Sequence, residues 1–304
     1  MPRAVQYEAF GAPDVLRVVE VDAVHPSEGQ VRVAVRAAGL NPYDVKVRSG
    51  SIPLAGPRFP RGTGLEFAGV VDQVGVDARY ADGSPVEPGD EVLGWHSASV
   101  REQLAAKATG LARKPAGLDW AVAGSIAVAV QTATSSLASV PVDAADTVLS
   151  NGTAGSVGIM HAQLAIERGA RVVGTASGTN HVLLESVGVI PTTYGPGLAE
   201  RVRVLVDGVT AAQDNHGSEG VEAALELGVA PERICAIAVD PAAHGIRGPA
   251  HLDRAIGELE RVARAIADGR MRFPIDSTYS LDQVADAYTR LAGRHLSGKV
   301  VVLV

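Results

Sequence analysis

The sequence predicts an α/β protein with two domains, a compact β-barrel-like domain and a doubly wound parallel sheet covered by helices. A change of pattern along the chain supports this division. Up to about residue 118, short apolar strands alternate with turns rich in Gly and Pro, whereas from Asp119 onward helical periods alternate with buried apolar strands. The length of 304 residues is sufficient for one large or two medium domains with a full core.

Three strand candidates define the N-terminal region. Residues 31–37 alternate apolar and polar positions, which is typical of a half-buried strand. Residues 67–75 form a second candidate, and the turn at residues 88–94 leads into a third. Strands at this spacing, with many Gly and Pro between them, favour a β-barrel-like domain.

The elements that follow are mainly helical. Helices are predicted at residues 120–138, 219–227 and 281–291, and strands at residues 234–239 and 299–304. One further helix gives a stronger signal. The strong helix is amphipathic and covers residues 251–267. Its apolar face carries Leu252, Ile256, Leu259, Val262, Ala263 and Ile266.

A strand, a glycine-rich turn, a helix and a second strand follow one another between Thr147 and Ser177. In the turn, Gly152 permits a tight bend, Gly155 lets backbone N–H groups approach a phosphate, and Gly158 allows close packing of helix and sheet. The start of the helix then offers unpaired N–H groups and a positive dipole end to phosphates. An ordinary glycine-rich turn is the alternative, but the flanking strands and helix favour a dinucleotide site.

The end of the second strand indicates which dinucleotide binds. NAD sites usually place an Asp or Glu there for the ribose 2′-hydroxyl, but residues 175–181 contain no carboxylate. Thr175 and Ser177 offer hydroxyl groups that tolerate a 2′-phosphate, so the sequence predicts NADP(H) as the cofactor. The stretch has no Arg or Lys, and His181 is its nearest cation, only partly charged at neutral pH. A surface helix residue is the alternative interpretation of His181.

Composition excludes several classes of function. The net charge of −7 and a pI near 5.6, without a basic cluster, exclude nucleic-acid binding as a main task. No apolar segment approaches the ~20 residues of a membrane span, and no secretory leader is recognisable, so we expect a cytoplasmic protein without a membrane partner. The single cysteine, Cys235, is predicted to be a small buried side chain rather than a reactive thiol.

Five parts of the chain carry a family resemblance. They are residues 39–44 with 48–50, 64–71, 88–92, 131–133 and 298–301, which read GLNPYD with RSG, GLEFAGVV, PGDEV, QTA and GKVV. In this order, around a nucleotide-binding turn, they resemble the zinc-independent quinone oxidoreductase branch of the medium-chain dehydrogenase/reductase superfamily. The resemblance covers nearly the whole chain. It implies a GroES-like catalytic domain from residues 1–118 and 272–304, a Rossmann NADP(H)-binding domain from residues 119–271, and a homodimer.

The residue types also bear on zinc. Zinc-dependent relatives carry Cys at the position of Asn41 and His at the position of Leu65, and their four-cysteine zinc lobe needs more than the one Cys of this sequence. His96, His161 and His295 stand alone, which is typical of scattered histidines rather than of a metal site. We therefore expect no metal.

The resemblance implies roles for side chains on the substrate side. Asn41 and Tyr43 are expected to line the substrate side of the nicotinamide, and either one can donate a hydrogen bond to the acceptor oxygen. The alternatives are a turn residue at Asn41, which precedes Pro42, and a packing aromatic at Tyr43. Trp95 is expected to form a wall of the substrate pocket, with simple packing as the alternative. The sequence shows no well-placed Lys or His beside Asn41, so water is the expected proton source.

Further residues are implied on the cofactor side. Thr132 is expected to contact the nicotinamide, and Ser156 and Val157 to donate backbone N–H groups to the pyrophosphate. His181 stands where many members of the branch carry a Lys for the 2′-phosphate. Tyr194 matches a Tyr that bonds the same phosphate or stacks on adenine.

Together these features predict an NADPH-dependent oxidoreductase that transfers hydride to a quinone or an α,β-unsaturated carbonyl compound, a small-molecule substrate, without zinc. Three alternatives stay open: a tailoring reductase for one secondary metabolite, an NADPH-binding protein with little turnover, and a zinc-free alcohol dehydrogenase. Residues 208–217 depart from the D-x-x-x-D-x-x-G-G pattern of the branch, which favours the binding protein to some degree.

Overall fold

The computed structural model describes residues 1–52, 59–293 and 296–304. In these ranges the α-helices are α1 (Pro42–Arg48), α2 (Trp120–Ala123), α3 (Ala127–Ser139), α4 (Ser156–Glu167), α5 (His181–Glu185), α6 (Leu198–Leu205), α7 (Ser218–Glu226), α8 (Ile256–Ala267) and α9 (Val284–Ala292). The strands are β1 (Arg3–Tyr7), β2 (Arg17–Glu20), β3 (Gln30–Gly39), β4 (Arg61–Gly62), β5 (Glu66–Val74), β6 (Glu91–Trp95), β7 (Gln103–Lys107), β8 (Leu111–Arg113), β9 (Thr147–Asn151), β10 (Arg171–Thr175), β11 (Ile190–Thr192), β12 (Ala211–Asp214), β13 (Ile234–Ala236), β14 (Ile275–Ser280) and β15 (Lys299–Leu303).

The chain divides into two compact units. The first comprises residues 1–128, 254–270 and 274–304, and the second comprises residues 129–253 and 271–273. The limits of the units at Val128 and Ala129 fall inside α3. The domain limits that the sequence predicts, at residues 118/119 and 271/272, stay a prediction.

The first unit is built on one large, mostly antiparallel sheet. Its strand order is β14-β15-β3-β5-β6-β8, with β7 also paired to β3, and a small sheet β2-β1-β4 accompanies it. The register between β3 and β5 shifts at two places, and such bulges bend a sheet. Along β3, Val31, Val33 and Val35 are buried while the positions between them are not, so the predicted half-buried strand is confirmed.

Among the described residues, the two largest apolar clusters of the first unit lie in its core. One lies under the bent sheet and includes Val33, Phe67 and Leu104. The other lies between α9 and the end of the sheet and includes Tyr288 and Val302. Each buried side chain of this size contributes roughly 1.5–3 kcal/mol of transfer free energy, so the clusters supply the main driving force that closes the unit.

The second unit is a five-stranded parallel sheet with the order β11-β10-β9-β12-β13. The strands β9, β10, β12 and β13 are buried along nearly their whole length, as expected where helices cover both faces, whereas β11 at the edge is mostly half-buried. The core includes Leu149 and Val173 from the sheet, Val202 from α6 and Val221 from α7. The predicted α/β class with one parallel sheet is therefore confirmed.

Some predicted elements are wrong at their limits. The helix expected over residues 120–138 is split into α2 and α3. The carbonyl oxygen of Gly124 accepts a hydrogen bond from the Gly39 N–H of β3 (2.8 Å) instead of continuing the helix. The chain lies so close to β3 here that a Cβ on Gly124 would be 2.5 Å from the carbonyl oxygen of Ala37. The helix expected from residue 251 starts only at Ile256. Leu252 is exposed, and its carbonyl oxygen accepts a hydrogen bond from the Gln131 side chain (3.4 Å) instead of continuing the helix.

Two further elements are shorter than expected. The strand predicted over residues 234–239 ends at Ala236, because its partner β12 ends at the paired residue Asp214. The helix predicted over residues 281–291 begins with a 3-10 turn, Leu281–Gln283, before α9. In the described part of the chain no helix is long and apolar enough to cross a membrane.

Candidate active site

A buried polar cluster in the first unit contains one of the predicted catalytic residues. The side-chain Nδ2 of Asn41 donates a hydrogen bond to Glu66 Oε1 (2.9 Å), and the ammonium of Lys299 donates one to Asn41 Oδ1 (2.7 Å). Lys299 Nζ also lies 2.6 Å from Glu66 Oε1. The side chains of Lys299 and Glu66 are 3% and 0% exposed. We call these three residues the charged cluster.

Three separate elements place the charged cluster. Asn41 is the N-cap of α1, and its backbone N–H donates to Asp44 Oδ2 (2.8 Å) in a capping box. Glu66 is the first residue of β5, and Lys299 is the first residue of β15. β3 lies between these two strands, and a Cβ on its last residue, Gly39, would lie 2.8 Å from Glu66 Oε1. The absent side chain at Gly39 therefore leaves the space that the Glu66 carboxylate occupies.

Burial dominates the electrostatics of this region. Burial raises the pKa of Asp44 to about 7, against the opposing effects of the Asn41 N–H and the Lys299 ammonium. The Glu66 carboxylate is fully buried but has three donors, because the backbone N–H of Val128 donates to Oε2 (2.8 Å) beside the contacts from Asn41 and Lys299. A buried ion pair persists only when its remaining lone pairs are satisfied in this way.

The expectation that no Lys or His lies beside Asn41 is wrong. Lys299 is 258 positions further along the chain, so sequence proximity does not reveal the contact. A signal was present: β15 reads KVVVL, and its Lys opens a run of buried apolar residues. A lysine buried in such a strand needs an anion or an acceptor nearby. Glu66, which opens the buried start of β5, was missed for the same reason.

The other predicted substrate-side residues differ in exposure. Tyr43 lies in the first turn of α1 and is 41% exposed, whereas Asn41 is 4% exposed. Trp95 is the last residue of β6, is 8% exposed, and lies directly opposite Glu66 in the β5–β6 register. Directly paired residues project from the same face of a sheet, so the indole is next to the charged cluster. The guanidinium carbon of Arg254 lies 5.5 Å from the centroid of the Trp95 ring.

In the second unit, the glycine-rich turn has the geometry that the sequence predicts at two of its positions. Gly152 has a φ of 69°, which only glycine adopts without cost. A Cβ on Gly158 would lie 2.5 Å from the carbonyl oxygen of Gly152, so a side chain there would push α4 off the turn. Gly155 is the N-cap of α4 and has nothing closer than 3.3 Å to an added Cβ, so its need for glycine does not come from packing.

The ends of β9, β10 and β12 are joined by a second buried network. The Thr175 hydroxyl donates to Asn151 Oδ1 (2.6 Å) and accepts from the Gly152 backbone N–H (2.9 Å). Asn151 Nδ2 donates to Asp214 Oδ1 (2.8 Å), and Asp214 Oδ2 accepts from the Gly217 N–H (3.1 Å). Burial raises the pKa of Asp214. We call this set the strand-end network, and it fixes the start of the glycine-rich turn.

The remaining predicted cofactor residues are in the second unit. Ser156 and Val157 form the first turn of α4, where helix N–H groups lack helical partners. Ser177 Oγ is 2.9 Å from Thr179 Oγ1, outside the strand-end network that holds Thr175. His181 opens α5, and its Nε2 is buried without a hydrogen-bond partner among the described residues.

Two more of these residues lie elsewhere in the second unit. Thr132 is in α3 and is partly buried. Tyr194 follows β11 and is 43% exposed. The next residue, Gly195, donates its backbone N–H to Glu219 of α7. Direct contacts of all these residues with a cofactor stay predictions.

Comparison with known proteins identifies the family. The alcohol dehydrogenase GroES-like domain matches residues 27–142, and the zinc-binding dehydrogenase model matches residues 181–302. The quinone oxidoreductase of Pseudomonas aeruginosa is 28% identical and covers 100% of both chains. The NADPH-dependent alkenal/one oxidoreductase of Arabidopsis thaliana is 29% identical, over 99% of this chain and 79% of that protein. A mycobacterial protein complexed with NADPH has a TM-score of 0.84 at 27% identity over 100% of both chains.

The chain belongs to the medium-chain dehydrogenase/reductase superfamily. The resemblance to the quinone oxidoreductase branch of that superfamily is confirmed. The predicted fold class, a GroES-like β-domain with a Rossmann parallel sheet, is confirmed as well.

The surroundings of the histidines and the cysteine bear on metal binding in this superfamily member. Among the described residues no group of three His, Cys, Asp or Glu side chains could hold a metal ion. Burial lowers the pKa of His161 to about 3 and also lowers that of His96, and His295 lies outside the described residues. Cys235 is buried, as predicted, and burial raises the pKa of its thiol to about 11.

Proposed function

We propose that this chain is an NADPH-dependent oxidoreductase that reduces quinones or α,β-unsaturated carbonyl compounds without zinc. The observation that carries this proposal is the Asn41 amide, held between Lys299 and Glu66 in the charged cluster. The activities named for the Pseudomonas and Arabidopsis relatives support the same reaction class.

The reaction requires few catalytic groups from the protein. NADPH, when bound, supplies the hydride, and conjugation in the acceptor moves the resulting negative charge onto an oxygen atom. A hydrogen-bond donor at that oxygen stabilises the enolate or hydroquinone anion. Asn41 Nδ2 has one N–H engaged by Glu66 and one further N–H for this purpose. Tyr43, more exposed, is a second candidate donor in the same turn.

The second unit fits a dinucleotide. A Cβ at Gly158 would fill the space between α4 and the turn, and Ser156 and Val157 bring two N–H groups to the N-terminus of α4. The residues after β10 include no carboxylate to bond a 2′-hydroxyl. The NADPH complex of the mycobacterial neighbour supports NADP(H) as the cofactor. His181, Ser177 and Tyr194 are the proposed residues around the 2′-phosphate.

The residue types at positions 41 and 65 support a reaction without zinc. Asn41 and Leu65 replace the two expected zinc ligands of metal-dependent relatives. Both positions precede the segment that matches the zinc-binding dehydrogenase model, so that match does not restore a ligand at either one. We expect chelator treatment to leave activity unchanged.

The departure of residues 208–217 from the branch pattern is compatible with an enzyme. Asp214 within that stretch accepts hydrogen bonds from Asn151 and Gly217 and so supports the nucleotide turn. The local sequence has changed, but the strand end is still fixed. The departure of residues 208–217 therefore does not favour a non-catalytic binding protein over an enzyme.

We propose a cytoplasmic homodimer that acts on a small molecule and has the domain limits predicted from the sequence. We also propose that it has no nucleic-acid or membrane partner, which the net charge of −7 supports. Light scattering on the purified protein tests the dimer.

The decisive experiment is NADPH consumption, followed by nicotinamide absorbance, against a panel of quinones and enones with NADH in parallel. We expect turnover with NADPH and weaker turnover with NADH. Tight NADPH binding without turnover on any acceptor would reject the enzyme, and preferred use of NADH would reject the cofactor assignment.

A further inference from the structure

We propose that Lys299 is a positioning residue for hydride transfer. Its ammonium orients and polarises the Asn41 amide, so that one Nδ2 N–H is left to bind the acceptor oxygen. This inference rests on the proposed function, and it adds to it a residue that acts through Asn41 rather than on the substrate.

The hydrogen bonds of Asn41 determine the orientation of its amide. A primary amide has two N–H donors on nitrogen and an acceptor oxygen. An ammonium can only donate, so the atom 2.7 Å from Lys299 Nζ must be the oxygen. An ionised carboxylate only accepts, so the atom 2.9 Å from Glu66 Oε1 must be the nitrogen. The opposite rotamer would bring like groups together, and the two charged partners therefore exclude it.

This orientation leaves one donor for the acceptor. Glu66 engages one of the two N–H groups on Nδ2, and the amide oxygen is occupied by Lys299. The backbone N–H of Asn41 is also occupied, by Asp44 (2.8 Å). The second N–H on Nδ2 is thus the group of Asn41 that can donate to an oxygen that gains negative charge.

The ammonium also strengthens this donor. A cation at the amide oxygen draws electron density from the nitrogen, and hydrogen bonds arranged in series polarise one another. The effect is large where water is excluded, and the Lys299 side chain is 3% exposed. Only one amide group separates the ammonium from the oxygen that Nδ2 would bind. In metal-dependent relatives zinc supplies this positive charge. Here the Lys299 ammonium supplies it, and the Asn41 amide lies between the ammonium and the acceptor oxygen.

Glu66 is needed because its carboxylate holds the Lys299 ammonium in place. The pair is 2.6 Å apart, and Val128 N–H holds the other carboxylate oxygen at 2.8 Å. An ion pair could have a purely structural role, so a matched control is required. Lys114 provides one in the same unit: its side chain is 4% exposed and its Nζ lies 2.8 Å from Glu91 Oε2 and 4.4 Å from the Trp120 ring centroid.

The test is a double-mutant cycle on kcat/KM with NADPH and an accepted quinone. We expect Asn41→Ala to lower kcat/KM by about 100-fold and Lys299→Met to lower it by at least roughly 10-fold, mainly in kcat. In the Asn41→Ala background, Lys299→Met should cause no further loss. Lys114→Met should retain the wild-type kcat, and the dissociation constant of NADPH should be unchanged in all variants.

Two results of the cycle itself would overturn the inference. One is a wild-type kcat for Lys299→Met, and the other is multiplication of the two effects in the double variant, which would mean that Lys299 does not act through Asn41. If Lys299→Met does not fold because Glu66 is left unpaired, Glu66→Gln/Lys299→Met removes both charges. That variant should fold and still show the loss in kcat; a wild-type kcat for it would also overturn the inference.

A second readout does not depend on activity. The chain has four asparagines, so selective ¹⁵N labelling gives few side-chain amide signals. Lys299→Met should shift the Asn41 Nδ2 resonances, and Lys114→Met should not. If the two variants show these shifts but the wild-type protein has no turnover, the proposed function fails and the orientation of Asn41 by Lys299 stands. If turnover is found but the Asn41 signals are insensitive to Lys299, the inference alone fails.

Discussion

In the first unit, the charged cluster joins three segments that are far apart in sequence, whereas in the second unit the strand-end network links the ends of adjacent parallel strands. The first contains a buried ammonium and a buried carboxylate 2.6 Å apart. The second works mainly through a hydroxyl and an amide, with Asp214 at its edge. Loss of Glu66 leaves an uncompensated charge in the first case, whereas loss of the Thr175 hydroxyl leaves unpaired dipoles in the second. The two units should therefore respond to substitution on different energy scales.

The largest effect is expected at Glu66. Glu66→Leu leaves the Lys299 ammonium buried without its counter-ion, so the free energy of unfolding should fall by about 3–5 kcal/mol. Both tryptophans, Trp95 and Trp120, are in the first unit, so tryptophan fluorescence in urea follows that unit. Adding Lys299→Met should restore much of the loss. An equal or larger loss in the double variant would mean that packing, not charge, explains the effect.

Asp44 should make the stability of the first unit depend on pH. Its folded-state pKa of about 7 is above the ordinary value, so the carboxyl stabilises the fold while protonated, and this contribution is lost as pH rises from about 4 to about 7. The free energy of unfolding of Asp44→Asn should equal that of the wild type near pH 4. Above pH 7 it should be higher than that of the wild type, by on the order of 2–4 kcal/mol.

Urea unfolding at a series of pH values, followed by tryptophan fluorescence, measures this difference. Asparagine can still accept the hydrogen bond from the Asn41 backbone N–H, so the cap of α1 is kept. A difference between Asp44→Asn and wild type that does not vary with pH would contradict the titration of Asp44.

The strand-end network should show a smaller effect. Thr175→Val leaves the Asn151 side-chain oxygen and the Gly152 N–H without their partner, which should cost about 1–3 kcal/mol. NADPH affinity should fall with it, because the turn loses its anchor. Circular dichroism and NADPH fluorescence measure the two effects. Thr289→Val removes an exposed hydroxyl of α9, in the first unit, as the control, and equal losses in both variants would refute the anchoring role.

The same contrast explains what could be predicted from sequence. The glycine-rich turn, its strand and its helix are contiguous, so spacing alone predicted the bend at Gly152 and the close packing at Gly158. Lys299 meets Asn41 only because β15 returns to β3 after the whole second unit, and no local pattern encodes that pairing. Motifs placed Asn41, Glu66 and Lys299 in three separate segments, and the fold was needed to show that they touch.

The smallest effect concerns the cofactor 2′-phosphate. His181 stands where many members of the branch carry Lys, and its Nε2 has no hydrogen-bond partner among the described residues. His181→Lys adds a full positive charge at a partly exposed position, worth up to about 1 kcal/mol, so NADPH should bind up to roughly fivefold more tightly. NADH affinity should not change, and His181→Gln serves as the uncharged control. Equal tightening for NADPH and NADH would mean that residue 181 acts on the fold of α5 and not on the 2′-phosphate.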